Sequence, residues 1–224
     1  MMSTIACGTH EDHLTDFQGH LVHTAIVPDL IRLHAAAQKA GFSLAIASSF
    51  RSFERQLIIW NNKFNGVRPV LDKYEQQVDM SQLSERERVF AILLFSALPG
   101  ASRHHWGTDL DIYDSNAVSD DYQVKLEQHE YEKGGPFYSF NLWLNEQLPD
   151  LGFFKPYHSY SGGVAAEPWH ISHIRQSEHI AEQLDVNVLT QVLNQADIAG
   201  KAEILKHLPE IYQQYIVNIN APNT

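Results

Sequence analysis

The chain has 224 residues, 44% apolar and 19% charged, which is enough apolar material for one ordinary globular domain. Its 27 acidic against 16 basic side chains leave a formal charge of −11, which argues against a nucleic-acid backbone or an anionic membrane as the main partner. One cysteine, Cys7, excludes an intrachain disulfide and restricts any metal site to nitrogen and oxygen ligands.

Met1 to Glu11 holds no basic stretch followed by a long apolar run, and no run of about 18 apolar residues occurs elsewhere. Neither a signal peptide nor a membrane segment is expected. Read as it stands, the chain belongs in the cytoplasm, or in the periplasm if a leader has been removed. Residues 1–20 read as an irregular lead-in whose histidines, with His23, are solvated. Ile26, Leu30, Leu33, Ala37 and Ala40 recur at helical steps within 22–40. Pro28 suits a first turn, which puts the start near Val27, and Gly41 is a natural stop.

Residues 43–48 read as a short buried strand that delivers Ser49, Phe50 and Arg51 to its end. A helix over 53–64, closed by Asn65-Gly66, leaves Arg51 at a strand-to-helix turn. Residues 66–82 are polar and loop-like. Ser84-x-x-Glu87 is a capping box that opens a helix through Phe95, with Val89, Ile92 and Leu93 inward and Pro99-Gly100 as the stop. A loop over 101–108 follows, then a strand over 110–113. The acidic stretch 114–135 is expected to be a surface insertion with a solvated His129. A helix over 137–148 carries Phe140, Leu142, Trp143 and Leu144, and a strand over 169–174 carries His170. Beyond Ser177, helical steps at 178–184, 188–193, 202–208 and 211–217 are separated by breaks at Asp185, Gly200 and Pro209. The expected division is 1–176 as the main domain and 177–224 as a helical extension packed on or beside it.

The chemistry gathers in two stretches, Ser102-Arg103-His104-His105-Trp106-Gly107-Thr108-Asp109-Leu110-Asp111 and Glu167-Pro168-Trp169-His170. Two imidazoles and one carboxylate form a three-ligand set that leaves zinc a fourth position for water, as a catalytic site requires. The carboxylate left over, Glu167, is then free to act as general base on that water. On residue type alone, Asp109 competes with Asp111, His105 with His104, and His173 with His170. A Ser-His-Asp hydrolase built on Ser102 is a further option, but nothing resembles a nucleophile elbow.

Ser102-x-His104-x-x-Gly107-x-x-x-Asp111 followed by Glu167-x-x-His170 resembles the VanY-type zinc carboxypeptidases, the D-alanyl-D-alanine and L,D-carboxypeptidases of bacterial cell-wall peptides. The Ser-Phe-Arg-Ser-Phe-x-x-Gln run at 49–56 resembles a third motif of that family. The resemblance implies an α+β fold, a small mostly antiparallel sheet flanked by helices. It implies one zinc ion held by His104, Asp111 and His170, with Glu167 as general base and Arg51 polarising the scissile carbonyl or stabilising the oxyanion. Arg51, Gln56 and Ser102 are then the substrate-binding residues. The implied substrate is a peptidoglycan stem peptide or muropeptide ending in D-alanine, with L,D-carboxypeptidase action ahead of D,D. A D-Ala-D-Ala dipeptidase and a non-catalytic zinc-containing cell-wall peptide binder are the alternatives. Oligomeric state is left open.

Overall fold

A computed structural model of the chain describes residues 5–222, so the first four residues of the lead-in lie outside the described residues. Residues 14–23 are not irregular. They form a hairpin of β1 (Leu14–Phe17) and β2 (His20–His23). Its two-residue turn has both residues at positive φ, Gln18 at 56° and Gly19 at 84°. That is the backbone twist a tight hairpin demands, reached with Gln where Asn or Asp is the usual signal.

A short 3-10 turn at Thr24–Ile26 leads into α1 (Val27–Lys39), with Pro28 in its first turn. β3 (Leu44–Ser48) is followed by α2 (Phe53–Phe64), capped by the Ser52 hydroxyl. α3 (Glu85–Leu93) opens with the Ser84/Glu87 capping box formed in both directions. β4 (Asp109–Asp114), α4 (Gln128–Tyr131), α5 (Tyr138–Gln147), β5 (Phe153–Phe154) and β6 (His170–His173) come next. The chain closes with α6 (Ile174–Ala181), α7 (Val186–Gln195), α8 (Lys201–Ile211) and a π-helical turn at Tyr212–Ile216. Among the described residues no helix is long and apolar enough to cross a membrane.

The main sheet runs in the order β3-β4-β6-β5, every pair antiparallel. Alternation along its strands sorts two faces. Leu44, Ile46, Leu110, Ile112 and Ile171 point to one side, where Leu30, Leu33 and Ala37 of α1 and Phe140 and Leu144 of α5 close over them. The other face carries Asp109, Asp111, His170 and Ser172, all buried. The pairing of β3 with β4 shifts between Ile46 and Ser48, so Ile46 stands opposite Ile112 but Ser48 opposite Asp111. That bulge turns Ser48 onto the polar face at the strand's end.

A second core joins α2 and α3 to the C-terminal helices. Trp60, Phe64, Val89, Ile92 and Leu93 pack with Ile180, Leu184, Leu189, Leu193, Ile204, Leu208 and Ile211. The Trp60 indole donates to the Ala199 carbonyl. Three expectations change here. α6 starts at Ile174, directly off β6, because His173 Nδ1 accepts from the Gln176 amide as an N-cap. α8 runs through Pro209, since Leu208 and Ile211 on either side stay buried and hold the turn. The stretch 114–135 is not wholly a surface insertion: Glu130 and Tyr131 are fully buried. The Glu130 carboxylate accepts from the amides of Lys125 and Glu127, and the Tyr131 hydroxyl donates to the Ile112 carbonyl under the sheet. His129 itself is exposed.

Candidate metal centre

The polar face of the sheet brings the two stretches together. Asp111 on β4 is the cross-strand partner of His170 on β6. His104 arrives from a 3-10 turn at Arg103–Trp106 that ends at Gly107 with φ 66°. A Cβ at Gly107 would sit 2.6 Å from Leu14 Cδ2 and 2.8 Å from the His23 amide nitrogen, so the turn and the hairpin behind it both require glycine.

One ligand atom from each of His104, Asp111 and His170 lies within 4.8 Å of the others, and all three residues are buried. His104 Nε2 stands 3.3 Å from Asp111 Oδ2. His170 Nδ1 stands 3.4 Å from Asp111 Oδ1 and 3.3 Å from Glu167 Oε2, without the alignment of a hydrogen bond. Asp111 Oδ1 and His170 Nδ1 are buried and lack a hydrogen-bond partner among the described residues. A buried carboxylate oxygen and ring nitrogen without hydrogen-bond partners cost free energy unless a proton or a metal cation completes them.

The outward nitrogens of both rings are fixed. His104 Nδ1 donates to the Ser49 carbonyl at 3.0 Å and His170 Nε2 donates to Asp109 Oδ1 at 3.0 Å. Each imidazole therefore presents its other nitrogen to the cluster, the arrangement that sets tautomer and direction in metal sites. Asp109 is held in turn by Arg103 Nε at 2.7 Å and by the Thr108 hydroxyl at 2.7 Å, while Arg103 also donates to Ser172 Oγ. Burial alone would raise the Asp109 carboxyl, but Arg103 and His170 outweigh it and keep Asp109 ionised, well below the usual carboxylate range. Burial likewise opposes charge on His170, yet Asp109, Glu167 and Asp111 around it lift the imidazole to about 10. Carboxylates crowded on one imidazole are a field that calls for positive charge. Two nitrogens, one carboxylate oxygen and a cavity with space for water suit zinc, so the residues present fit the ion.

A cavity of ≈ 610 Å³ opens beside the cluster, lined by His104, Asp111, His170, Glu167, Arg51 and Ser102, among others. Arg51 donates through Nη1 to Gln56 Oε1 at 3.0 Å and through Nη2 to Ser48 Oγ at 3.1 Å. Gln56 differs from the substrate-binding role expected of it. It is fully buried and does not line the cavity, and its Nε2 donates to the Ala97 carbonyl at 2.7 Å. With both ends of its amide engaged, it aims Arg51 instead.

The competing residues are placed elsewhere. His105 Nδ1 bonds the Arg51 carbonyl and its Nε2 accepts from Gly100, so this ring clamps the loop, and burial pushes it down to about 3. His173 pairs with Asp29 on α1. Asp109 backs His170. Two contributors were not foreseen: Arg103, which neutralises Asp109, and Tyr157, whose ring meets His170 edge-on at 5.1 Å and whose carbonyl accepts from the Glu167 amide. Arg103 lies inside the motif at 102–111, next to His104, and that adjacency was the available signal.

An antiparallel sheet carries a buried His-Asp-His cluster on one face, with a further carboxylate beside it, a donor set that could hold a metal ion. The family model VanY, described as D-alanyl-D-alanine carboxypeptidase, matches residues 19–176, and the chain belongs to this peptidase family. An uncharacterized protein of Haemophilus influenzae is 37% identical over 122 residues, 54% of this chain and 93% of its own length. Among solved structures the fold is shared with VanYB in complex with D-alanine-D-alanine (TM-score 0.54, 21% identity, 84% of this chain and 91% of that one). It is shared too with the LdcB LD-carboxypeptidase (0.54, 20%, 88% and 79%) and with a VanY D,D-pentapeptidase variant in complex with Zn(II) (0.51, 20%, 85% and 88%).

Proposed function

We propose that the protein is a zinc-dependent carboxypeptidase that removes a C-terminal D-alanine from peptidoglycan stem peptides, with L,D action ahead of D,D. The observation that carries this is the buried pair Asp111 Oδ1 and His170 Nδ1, without hydrogen-bond partners among the described residues, beside the Glu167 carboxylate on the cavity wall. His104, Asp111 and His170 are the ligands. A zinc ion there supplies a Lewis acid and lowers the pKa of a water it binds to about 7.

The chain's own groups do the rest. Glu167, on the cavity wall, takes the proton of the attacking water and returns it to the leaving amine nitrogen. Arg51, fixed from two sides by Ser48 and Gln56, offers its guanidinium to the carbonyl oxygen as negative charge develops. Ser102 lines the same cavity and holds the substrate's terminal carboxylate or nearby backbone. The test is to incubate zinc-loaded protein with tri-, tetra- and pentapeptide muropeptides and weigh the products. Loss of one alanine from the tetrapeptide supports L,D action; loss from pentapeptide alone makes it D,D; release of a dipeptide makes it a dipeptidase. Tight binding with no cleavage of any of the three overturns the enzyme in favour of a binding module.

A further inference from the structure

One wall of the cavity is cationic. Arg51, Lys63 and Arg68 line it, in a chain whose net charge is −11. Ile59 and Lys63, one turn apart on α2, both face it. Lys63 is half-buried, and its Nζ donates to Ser96 Oγ at 2.6 Å. The neighbouring Ala97 carbonyl anchors Gln56 and through it Arg51, so both cations lean on one short segment. Among the described residues the arginine and lysine ion pairs are those of Arg32, Arg86, Arg103 and Lys206; Arg51, Lys63 and Arg68 have none. Glu167 is the acid that Lys63 and Arg51 both feel, but burial, reinforced by Arg51 and Arg68, pushes the Lys63 ammonium down to about 8. On the far rim Lys125 stands with Glu75 and Glu127, whose carboxylates lie 4.0 and 3.4 Å from His129.

Arg51 and Lys63 stand in a partly dry cleft with Arg68 exposed at its edge, and the acids that share the cavity are engaged elsewhere: Asp111 and Glu167 face the His104 and His170 rings, and Glu75 and Glu127 face His129. A C-terminal carboxylate brings one negative charge, which the proposed function gives to Ser102, and Arg51 is taken by the carbonyl oxygen. We propose that Lys63, backed by Arg68, is a second anion subsite that takes a side-chain carboxylate on the residue whose carbonyl is cut. This rests on the carboxypeptidase reading and deepens it. A residue of meso-diaminopimelate type bears such a carboxylate. In a tetrapeptide it is joined directly to the terminal D-alanine, whereas in a pentapeptide the residue at the cut is itself alanine. The subsite therefore selects the L,D bond.

The test pairs two tetrapeptides that differ only in having meso-diaminopimelate or L-lysine before the terminal D-alanine. The zinc-loaded full chain is expected to favour the diaminopimelate peptide by about tenfold in kcat/KM. Lys63→Met and Arg68→Gln should each bring that ratio towards one, with the lysine peptide changed by less than about twofold, while Lys63→Arg retains the preference. Calorimetry of both peptides on Glu167→Ala protein should show the same preference in Kd, without any turnover. A wild-type protein indifferent to the two peptides, or variants that weaken both equally, overturns the subsite. If neither peptide is cut but calorimetry keeps the preference, the carboxypeptidase reading falls and the subsite stands.

Discussion

Glu167 and Asp109 are both carboxylates beside His170, and their surroundings give them different work. Glu167 faces the cavity and meets only the inward nitrogen of His170, at 3.3 Å, among the ion pairs of the described residues, so Glu167→Ala should retain one zinc per chain by metal analysis and lose about 10²- to 10⁴-fold in kcat, the usual cost of deleting a positioned base. Undiminished turnover would remove Glu167 from the chemistry. Asp109 has no view of the cavity and instead grips His170 Nε2, Arg103 and Thr108. Asp109→Asn should therefore weaken zinc binding by about 10- to 100-fold in a chelator competition, because His170 loses the charged acceptor that fixes its tautomer and raises its basicity. The sequence could name both aspartates as candidates, since residues two apart on a strand share a face, but spacing could not rank them. What separates them is Arg103, which needs tertiary structure to be seen lying against Asp109. Gln56 shows the same limit: a motif position identifies the residue, and only packing shows that its amide is already spent on Arg51 and Ala97.

Elements whose ends are marked by local chemistry could be read from the sequence: α2 between the Ser52 cap and Asn65-Gly66, and α3 from its capping box. The hairpin β1-β2 was hidden because its turn uses Gln18, and α6 because its cap is an imidazole. The junction of α5 with the segment after β5 holds another feature that no pattern announces, a lysine inside the protein. Lys155 is 7% exposed, and its Nζ donates to the side-chain oxygens of Asn141 and Asn145, one turn apart on α5. Burial pushes its ammonium from 10.5 down to about 7. The folded state thus sheds this proton near pH 7 while the unfolded chain keeps it to about pH 10.5. Between those values the unfolded state binds more protons, so this residue's contribution to stability rises with pH, by an amount on the order of a few kcal/mol across the window. Denaturant unfolding at about pH 6.5 and about pH 9.5, values that bracket most of this window, should show a steeper rise for wild type than for Lys155→Met. Parallel curves would mean that the two asparagines keep the ammonium charged throughout.

At the scale of the molecule, the match to the family ends at residue 176, yet the cavity depends on the C-terminal segment beyond it. Tyr215 and Ile216 of the π-helical turn form part of its wall. The same segment straps down the loop before Glu167: Gln214 Nε2 donates to the Gly162 carbonyl, Asn218 Nδ2 to the Ser161 carbonyl, and the Asn220 amide to the Pro156 carbonyl. The Ser159 amide closes the strap by donating to Asn220 Oδ1 at 2.8 Å. Gly163 allows the closest approach, since a Cβ there would fall 1.9 Å from the Gln214 carbonyl oxygen, a backbone atom that cannot turn aside. This loop carries Tyr157, whose carbonyl receives the Glu167 amide, so a displaced strap reaches the proposed base through one hydrogen bond. Gly163→Ala should leave zinc content unchanged, because the proposed ligands sit on β4, β6 and the turn at Arg103–Trp106, all outside the loop. It should lower kcat/KM by about 10- to 100-fold, as misplacing a catalytic group by about an ångström does. Limited proteolysis should then cut the variant within 212–222 before the wild type. A variant that loses zinc as well would show that the strap supports the whole sheet face, and one with native kinetics would show that the loop holds Glu167 without it.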